Sequence, residues 1–559
     1  LLAADRIRGG TARAVAVIGD GALTGGLAYE ALSHAGQLGL PLVVILNDNK
    51  MSISANVGGL SKYLSRLSMK GKYQLFRRTF DSLVKRIPLF GAVFFDVIVR
   101  LKRAVKAVFY TDNFFVDLGF EYVGPIEGHH IQRLTEVFRD VRKLDRPVVI
   151  HVITRKGKGY GFAEDDPGSY HGVGSFCVAG GLPSARRPVQ PAGKRTFTEA
   201  FSRAMAEAGG RDRRVVGVTA AMEKGTGLSA FKTAFPRRFF DVGIAEGHAV
   251  TFSAGLAVQG LRPVVAVYST FIQRAADQVI HDVGLQGLPV IFALDRSGFV
   301  GEDGETHQGL FDISLFRPVP NMTILTPAGE AELSLMLEWA LGGDATLSVS
   351  AAGMARAAPL PGFQPSGFQP SGPQPAQGPV MIRYPKSSCP DEIPAFSQPL
   401  EKGRGVFVRR GGASVCIAFT GGLYPEVLDA AENLKRRGID ADLYHLRFLK
   451  PVDEDYLAAL MNRYKLLVFV EEGVREGGFG EYAAELALRR GCAGLVRVLA
   501  APGDFVSLGT RQELLRMNGL DGEGIARRLA EWWSRDRING ESPAETAAKQ
   551  KNLTLSPFS

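Results

Sequence analysis

Cysteine is scarce in this sequence. Cys177, Cys389, Cys416 and Cys492 are the only four in 559 residues, and no two form a CxxC pair. That spacing argues against a cysteine zinc site or a disulfide framework and fits a reducing cytoplasm. Long apolar runs are also missing. The longest apolar-rich stretch, residues 88–99 (PLFGAVFFDVIV), contains Asp96 and falls short of the roughly 20 residues that a membrane-crossing helix needs. No integral membrane association is therefore expected. The first residue is Leu1, not Met, and no charged segment followed by an apolar one opens the chain. This pattern predicts a start inside a longer gene product and no signal peptide. Nucleic-acid-binding motifs are lacking too, so the net charge of +9 does not imply a nucleic-acid partner.

The charge that is present is concentrated. Residues 61–110 hold twelve Lys and Arg against Asp81 and Asp96, a local excess matched nowhere else in the chain. A solvated basic helical face explains this, as does attraction of phosphorylated substrates or of an anionic surface. A hydrophobic share of 45% and a charged share of 22% are those of a globular protein. The length exceeds what one core can organise and predicts about three or four domains.

Along the chain, β-type apolar runs alternate with helical periodicity, the pattern of α/β domains with mainly parallel sheets flanked by helices. The first block has strands over 15–19, 42–47, 121–123 and 148–153, with helices over 24–37 and 131–143. Residues 180–193 read as a linker. The second block opens with a helix over 197–207, followed by strands over 215–219, 240–244, 264–268, 290–295 and 380–383. It is interrupted at 357–379 by a Pro/Gln-rich tract containing GFQPSGFQPSGPQP, whose composition cannot support a packed core. The third block has strands over 415–419, 440–446, 466–470 and 495–498. The expected domains are thus 1–180, 194–390 and 398–534, with a tail over 535–559.

The sharpest local signal is Gly19-Asp20-Gly21 followed by Asn47-Asp48-Asn49. Each closes a strand, and the crossover between them brings both loops to one carboxyl edge. Asp20 and Asn49 offer hard oxygen donors suited to Mg²⁺. Glycines at 19, 21, 25 and 26 allow close approach of backbone to a diphosphate. A GDG alone is only a tight strand-to-helix turn. A GDG with the crossover and NDN resembles the thiamine-diphosphate motif of transketolase-like enzymes. That resemblance makes Asp20, Asn49 and the Met51 carbonyl the metal ligands.

The wording around the motif is more specific. GDGALTGGLAYEALSHAG, LNDNKMSIS, GFEYVGPIEGH, RKGKGYGFAEDDPGSYHG, AEGHAVTFSAGLA, YSTFIQRAADQVIHDV and LDRSGFVGEDGETHQG resemble, in order, the 1-deoxy-D-xylulose-5-phosphate synthase family. The resemblance implies three transketolase-like domains: the later part of a diphosphate-binding domain, a pyrimidine-binding domain and a transketolase C-terminal domain. It implies a cytoplasmic homodimer that uses thiamine diphosphate and Mg²⁺ to decarboxylate pyruvate. The remaining fragment is then joined to glyceraldehyde 3-phosphate, the first step of non-mevalonate isoprenoid synthesis.

By the same resemblance, the cofactor contacts are Gly19, Asp20, Gly21, Ala22, Asn49, Met51, Lys156, Glu246 and Phe271. Glu246 takes the role of the catalytic glutamate on the aminopyrimidine ring, on which Phe271 packs. His171 and Lys156 fall near the thiazolium and the diphosphate. Tyr268, Arg274, Arg296 and Arg383 match substrate-contacting positions, and Asp303 and His307, in a Gly-rich loop, are placed for proton transfer. Taken singly, each has a plainer reading: Glu246 as a helix-start charge, Phe271 as core filling, the GEDGETHQG segment as an exposed loop, His248 as helix support.

The chain departs from the family pattern in three motifs. AEQHA appears as AEGHA, GPIDGHD as GPIEGHH, and RYPRG as RYPKS, so Gly247, Glu127, His130 and Lys386 stand at altered positions. Family members also carry a further segment before the point matching Leu1, which predicts poor stability or inactivity for the chain by itself. The alternatives left open are another transketolase-like enzyme, or a non-catalytic remnant that binds cofactor or a partner chain.

Overall fold

The structure is a computed structural model. It describes residues 1–51, 59, 62–64, 113–171, 173, 176–181, 194–301, 303–342 and 378–538. Nearly all of the basic segment 61–110, most of the linker 180–193, nearly all of the insertion 357–379 and the last residues of the tail lie outside the described residues. The described residues divide into two compact units, those within Leu1–Arg186 with Val242–Ala245, and those within Arg187–Asp241 and Glu246–Ser559.

The first unit is built on β1 (Ala14–Gly19), β2 (Leu42–Asp48), β3 (Glu121–Glu127) and β4 (Val148–Ile153), in the order β1-β2-β4-β3. All three pairings are parallel. The inner strand β4 is almost wholly buried along VVIHVI, as expected of a parallel strand covered on both faces. The helix Gly26–Leu38 stops where Gly39 takes a left-handed φ of 62°, a conformation glycine adopts without a Cβ penalty. The register sets Gly19 opposite Asn47 and Asp48 opposite Ile153. Asp20, Asp48 and Thr154 consequently line one carboxyl edge.

The second unit contains two sheets. Its strands are β5 (Val215–Thr219), β6 (Phe239–Asp241), β7 (Arg262–Tyr268), β8 (Ile291–Asp295), β9 (Thr323–Leu325), β10 (Val380–Arg383), β11 (Val406–Arg409), β12 (Val415–Phe419), β13 (Ala441–His445), β14 (Phe448–Lys450), β15 (Leu466–Val474) and β16 (Leu495–Ala501). The seven-stranded sheet runs β14-β9-β10-β8-β7-β5-β6 and the five-stranded one β11-β13-β12-β15-β16. Every pairing is parallel except those of β14 and β11. The short strands β9, β11 and β14 were not expected from the sequence, because three or four residues are too few to establish a period of two. The expected strand over 240–244 is confined to Phe239–Asp241.

β14 belongs to the third sequence block yet completes the sheet of the second, pairing antiparallel with β9. A fully buried trio lies close by. Glu332 accepts from Arg447 Nε at 2.6 Å, and its other oxygen lies 3.2 Å from His445 Nδ1. In the seven-stranded sheet Tyr268 stands opposite Asp295, and Arg383 opposite Leu294. The ends of β7, β8 and β10 thus bring their chemistry to one carboxyl edge, where open parallel sheets place ligands.

Candidate active site

In the first unit, the edge formed by β1, β2 and β4 holds two buried carboxylates. Asp20 is 3% exposed and Asp48 1%. Burial pushes Asp20 up to about 6, helped by the charge of Asp48 and a hydrogen bond to it. Burial also works to raise Asp48, but the hydrogen bond and charge of His151 outweigh it and hold this carboxyl below its ordinary range. His151 Nε2 lies 3.0 Å from Asp48 Oδ2, and its Nδ1 lies 2.7 Å from the Tyr122 hydroxyl. The imidazole thus bridges the Asp48 carboxylate and the Tyr122 hydroxyl.

The loop after β2 is a tight turn. Asp48 Oδ1 accepts from the Lys50 N–H at 3.1 Å, and Asn49 Oδ1 from the Met51 N–H at 3.0 Å. Lys50 sits at φ 62°, an uncommon conformation for a long side chain. Lys156 Nζ lies 3.0 Å from His171 Nδ1. Burial lowers the Lys156 amine while the charge of Asp20 opposes that shift. The His171 imidazole is lowered by burial and then by Lys156. The unit therefore joins Asp20, Lys156 and His171 electrostatically, beside the Asn49–Met51 turn.

These residues fit the implied group. Paired, desolvated carboxylates gain most from a neighbouring cation. An oxygen-only donor set of Asp20, Asn49 and the Met51 carbonyl suits a hard ion such as Mg²⁺. Gly21 and Ala22 open a 3₁₀ turn over Ala22–Thr24, and a Cβ on Gly19 would meet nothing within 4 Å, leaving room above the strand end.

In the second unit, Glu246 opens the helix Glu246–Val258 and is 4% exposed. Its Oε1 accepts from Arg274 Nη1 at 2.9 Å. The same guanidinium lies 5.0 Å from the centroid of the Phe271 ring. Phe271 stacks on Tyr268 at 5.7 Å and meets the His307 ring edge-on at 5.3 Å. Arg296 covers the other ring of this series, 3.7 Å from the Tyr268 centroid. Its Nη1 donates to Asp295 Oδ1 at 2.9 Å and to the Gly225 carbonyl at 2.7 Å. Arg296 is held at φ 60°, and such backbone strain in bulky residues concentrates at ligand sites. Burial pushes the Tyr268 hydroxyl up to about 12, so it remains a hydrogen-bond donor at neutral pH. Asp303 pairs with Lys386 Nζ at 3.1 Å.

The sequence thus picked out a connected set: Glu246, Arg274, Phe271, Tyr268 and Arg296 adjoin in series, and His307 branches from Phe271. Arg383 is held within the fold. It is 6% exposed, and its Nε and Nη2 hold both oxygens of Asp312 at 2.8 and 3.2 Å while Nη2 also reaches the Glu472 carbonyl at 2.9 Å. Its Nε and Nη2 are thus committed to the Asp312 carboxylate and the Glu472 carbonyl. The exposed cation three residues on, Lys386, is the one beside Asp303. His248 is exposed and rests on Phe252, ring centroids 5.9 Å apart, in keeping with a supporting role in the helix. Sequence reasoning also passed over Asp48, Tyr122 and His151. The available signal was a histidine set inside the otherwise apolar VVIHVI strand.

Residues 1–154 match the family model described as 1-deoxy-D-xylulose-5-phosphate synthase. Residues 193–349 match the transketolase pyrimidine-binding domain, and 403–525 the transketolase C-terminal domain. The 1-deoxy-D-xylulose-5-phosphate synthase of Treponema pallidum (strain Nichols) is 50% identical over 533 residues, 95% of this chain and 78% of that protein. The chain belongs to the 1-deoxy-D-xylulose-5-phosphate synthase family. A relative of the same name from Desulforudis audaxviator is 43% identical over 518 residues, 92% of this chain and 75% of its own length. Among the described residues, no helix is long and apolar enough to cross a membrane.

Proposed function

We propose that this chain releases CO₂ from pyruvate and joins the remaining two carbons to glyceraldehyde 3-phosphate, giving 1-deoxy-D-xylulose 5-phosphate. The observation that carries the reading is Glu246, a desolvated carboxylate at a helix start, set against the Arg274–Phe271–His307 series. Bound thiamine diphosphate supplies the electron sink that decarboxylation of a 2-oxo acid needs.

The chain's own residues bind, orient and move protons. Asp20, Asn49 and the Met51 carbonyl would hold Mg²⁺, while Gly19, Gly21 and Ala22 would offer backbone to the diphosphate. Lys156 and His171 add polar contacts at that edge. Glu246 would hold a proton at the aminopyrimidine ring while Arg274 engages its carboxylate. Phe271 would pack on the ring.

For the acceptor, Arg274, Arg296 and Lys386 supply positive charge for a phosphate. Tyr268, kept protonated by burial, donates to a substrate oxygen. His307 and Asp303 exchange protons with the acceptor's carbonyl and hydroxyl groups. The four dispersed cysteines support a cytoplasmic setting, and the family resemblance supports a homodimer.

The test is turnover by the full chain with thiamine diphosphate, Mg²⁺ and both substrates. CO₂ release coupled to formation of the five-carbon ketose phosphate is expected. Transfer from a ketose-phosphate donor instead of pyruvate would favour another transketolase-like activity. Cofactor binding without turnover would favour a non-catalytic remnant.

A further inference from the structure

The loop that carries Asp303 and His307 is closed at its base. Gly298 and Gly309 exchange N–H···O bonds of 2.7 and 2.9 Å, and the Gln308 side chain accepts from the Val300 N–H at 2.8 Å. This closure fixes the neck of the loop. A residue on another sheet also grips it. Glu472 lies on β15 of the five-stranded sheet and is 2% exposed. Its Oε1 accepts from the Phe299 N–H at 2.9 Å, and its Oε2 from Arg511 at 2.5 Å.

The fit between loop and carboxylate is close. A Cβ on Gly298, at φ 83°, would lie 2.3 Å from the Glu472 carboxyl carbon, so only glycine permits this approach. One step along, a Cβ on Gly301 would lie 3.0 Å from the Arg511 nitrogen and 3.2 Å from the Gly509 carbonyl. The glutamate is itself fixed from behind. Its carbonyl accepts from Arg383 at 2.9 Å, and Arg511 also reaches the Gly422 carbonyl at 3.2 Å. Phe299, next to the neck, is fully buried.

We propose that Glu472, anchored by Arg511, is a positioning residue that aims the Asp303–His307 loop at the acceptor substrate. The five-stranded sheet then contributes to carboligation although it presents no residue to the reacting atoms. The idea rests on the acceptor role given above to Asp303 and His307. Small misplacements of such groups cost large factors in rate.

Two measurements on the full chain test it. In hydrogen exchange, Glu472→Ala should speed exchange at the Phe299 and Val300 amides about tenfold, with β15 unchanged, as expected for local release of one loop. Glu472→Gln keeps an acceptor for Phe299 and should restore most of the protection. In kinetics, Glu472→Ala should raise KM for glyceraldehyde 3-phosphate about tenfold while KM for pyruvate stays within about twofold, since only the acceptor end is disturbed.

Unchanged loop exchange overturns the proposal. So does a rise in both KM values together, or exchange that rises equally along β15, because each describes general loosening. If the alanine variant does not fold, Glu472→Gln and Arg511→Met carry the same comparison. Exchange is read without substrate, so an inactive wild-type chain would count against the synthase reading and leave the exchange result to decide the role of Glu472.

Discussion

Arg274 and Glu246 are 28 residues apart in sequence and form a 2.9 Å ion pair in which the carboxylate is almost fully buried and the guanidinium half exposed. The pair joins a residue expected at the cofactor ring to one expected at the acceptor phosphate. Glu246→Gln should lower kcat by about 10²–10⁴-fold, the range for loss of a general acid–base group. Arg274→Ala should raise KM for glyceraldehyde 3-phosphate about tenfold and disturb Glu246 as well, so steady-state kinetics of the double variant should depart from additivity.

Asp20 is a desolvated carboxylate with Asp48 as its neighbour. Asp20→Asn removes a carboxylate charge that the Lys50 and Gly21 N–H groups and the Lys156 amine face. Calorimetric titration should show the Mg²⁺-dependent affinity for thiamine diphosphate falling at least about tenfold, through loss of a charged ligand. The thermal midpoint of the cofactor-free chain should hold or rise, because the repulsion with Asp48 is relieved.

Arg383 and Lys386 should separate cleanly. Arg383→Ala leaves Asp312 buried without its partner, a change that typically costs about 3–5 kcal/mol, so its main effect should be a lower thermal midpoint. Lys386→Ala touches an exposed pair with Asp303. It should leave the midpoint nearly unchanged and raise KM for glyceraldehyde 3-phosphate. A selective KM effect in the Arg383 variant, with its midpoint intact, would return that residue to the substrate.

Glu471 should give a pH-dependent stability of unusual sign for a carboxylate. Burial pushes it up to about 7, against the opposing N–H groups of Gly480 and Phe479 and the charges of Arg383 and Arg317. The folded chain therefore keeps a proton that the unfolded chain releases above its ordinary value of 4.5. The stability from this group is complete below that value and declines as pH rises to about 7. Over this window the loss should be on the order of 3 kcal/mol. Thermal midpoints of the wild type and Glu471→Gln across the same range should show the decline in the wild type and its absence in the variant.

Two departures from the family pattern acquire a physical account. His130, where the family has aspartate, accepts from the Arg133 N–H at 3.1 Å through Nδ1 and caps the helix Ile131–Val141. This satisfies an orphan donor of the first turn much as a carboxylate would. At Gly247, a Cβ would meet Gln278 Oε1 at 3.1 Å. The amide of Gln278 already occupies the space into which a longer side chain at 247 would begin to grow.

The α/β class and the placing of Asp20 and Asn49 at strand ends were legible in the chain, because apolar periodicity and glycine-bounded turns are local. Glu246, Phe271 and His307 were singled out by their resemblance to family motifs. Which of these residues meet depends on the fold. The Arg383–Asp312 pair, the His151–Asp48 contact and the grip of Glu472 on Phe299 join positions 71, 103 and 173 residues apart. Burial and hydrogen bonding across such separations depend on sheet order and register, and neither leaves a period in the chain. The same arginine reads as a phosphate ligand in the sequence and as the buried half of an ion pair in the fold, because desolvation is a property of position in space.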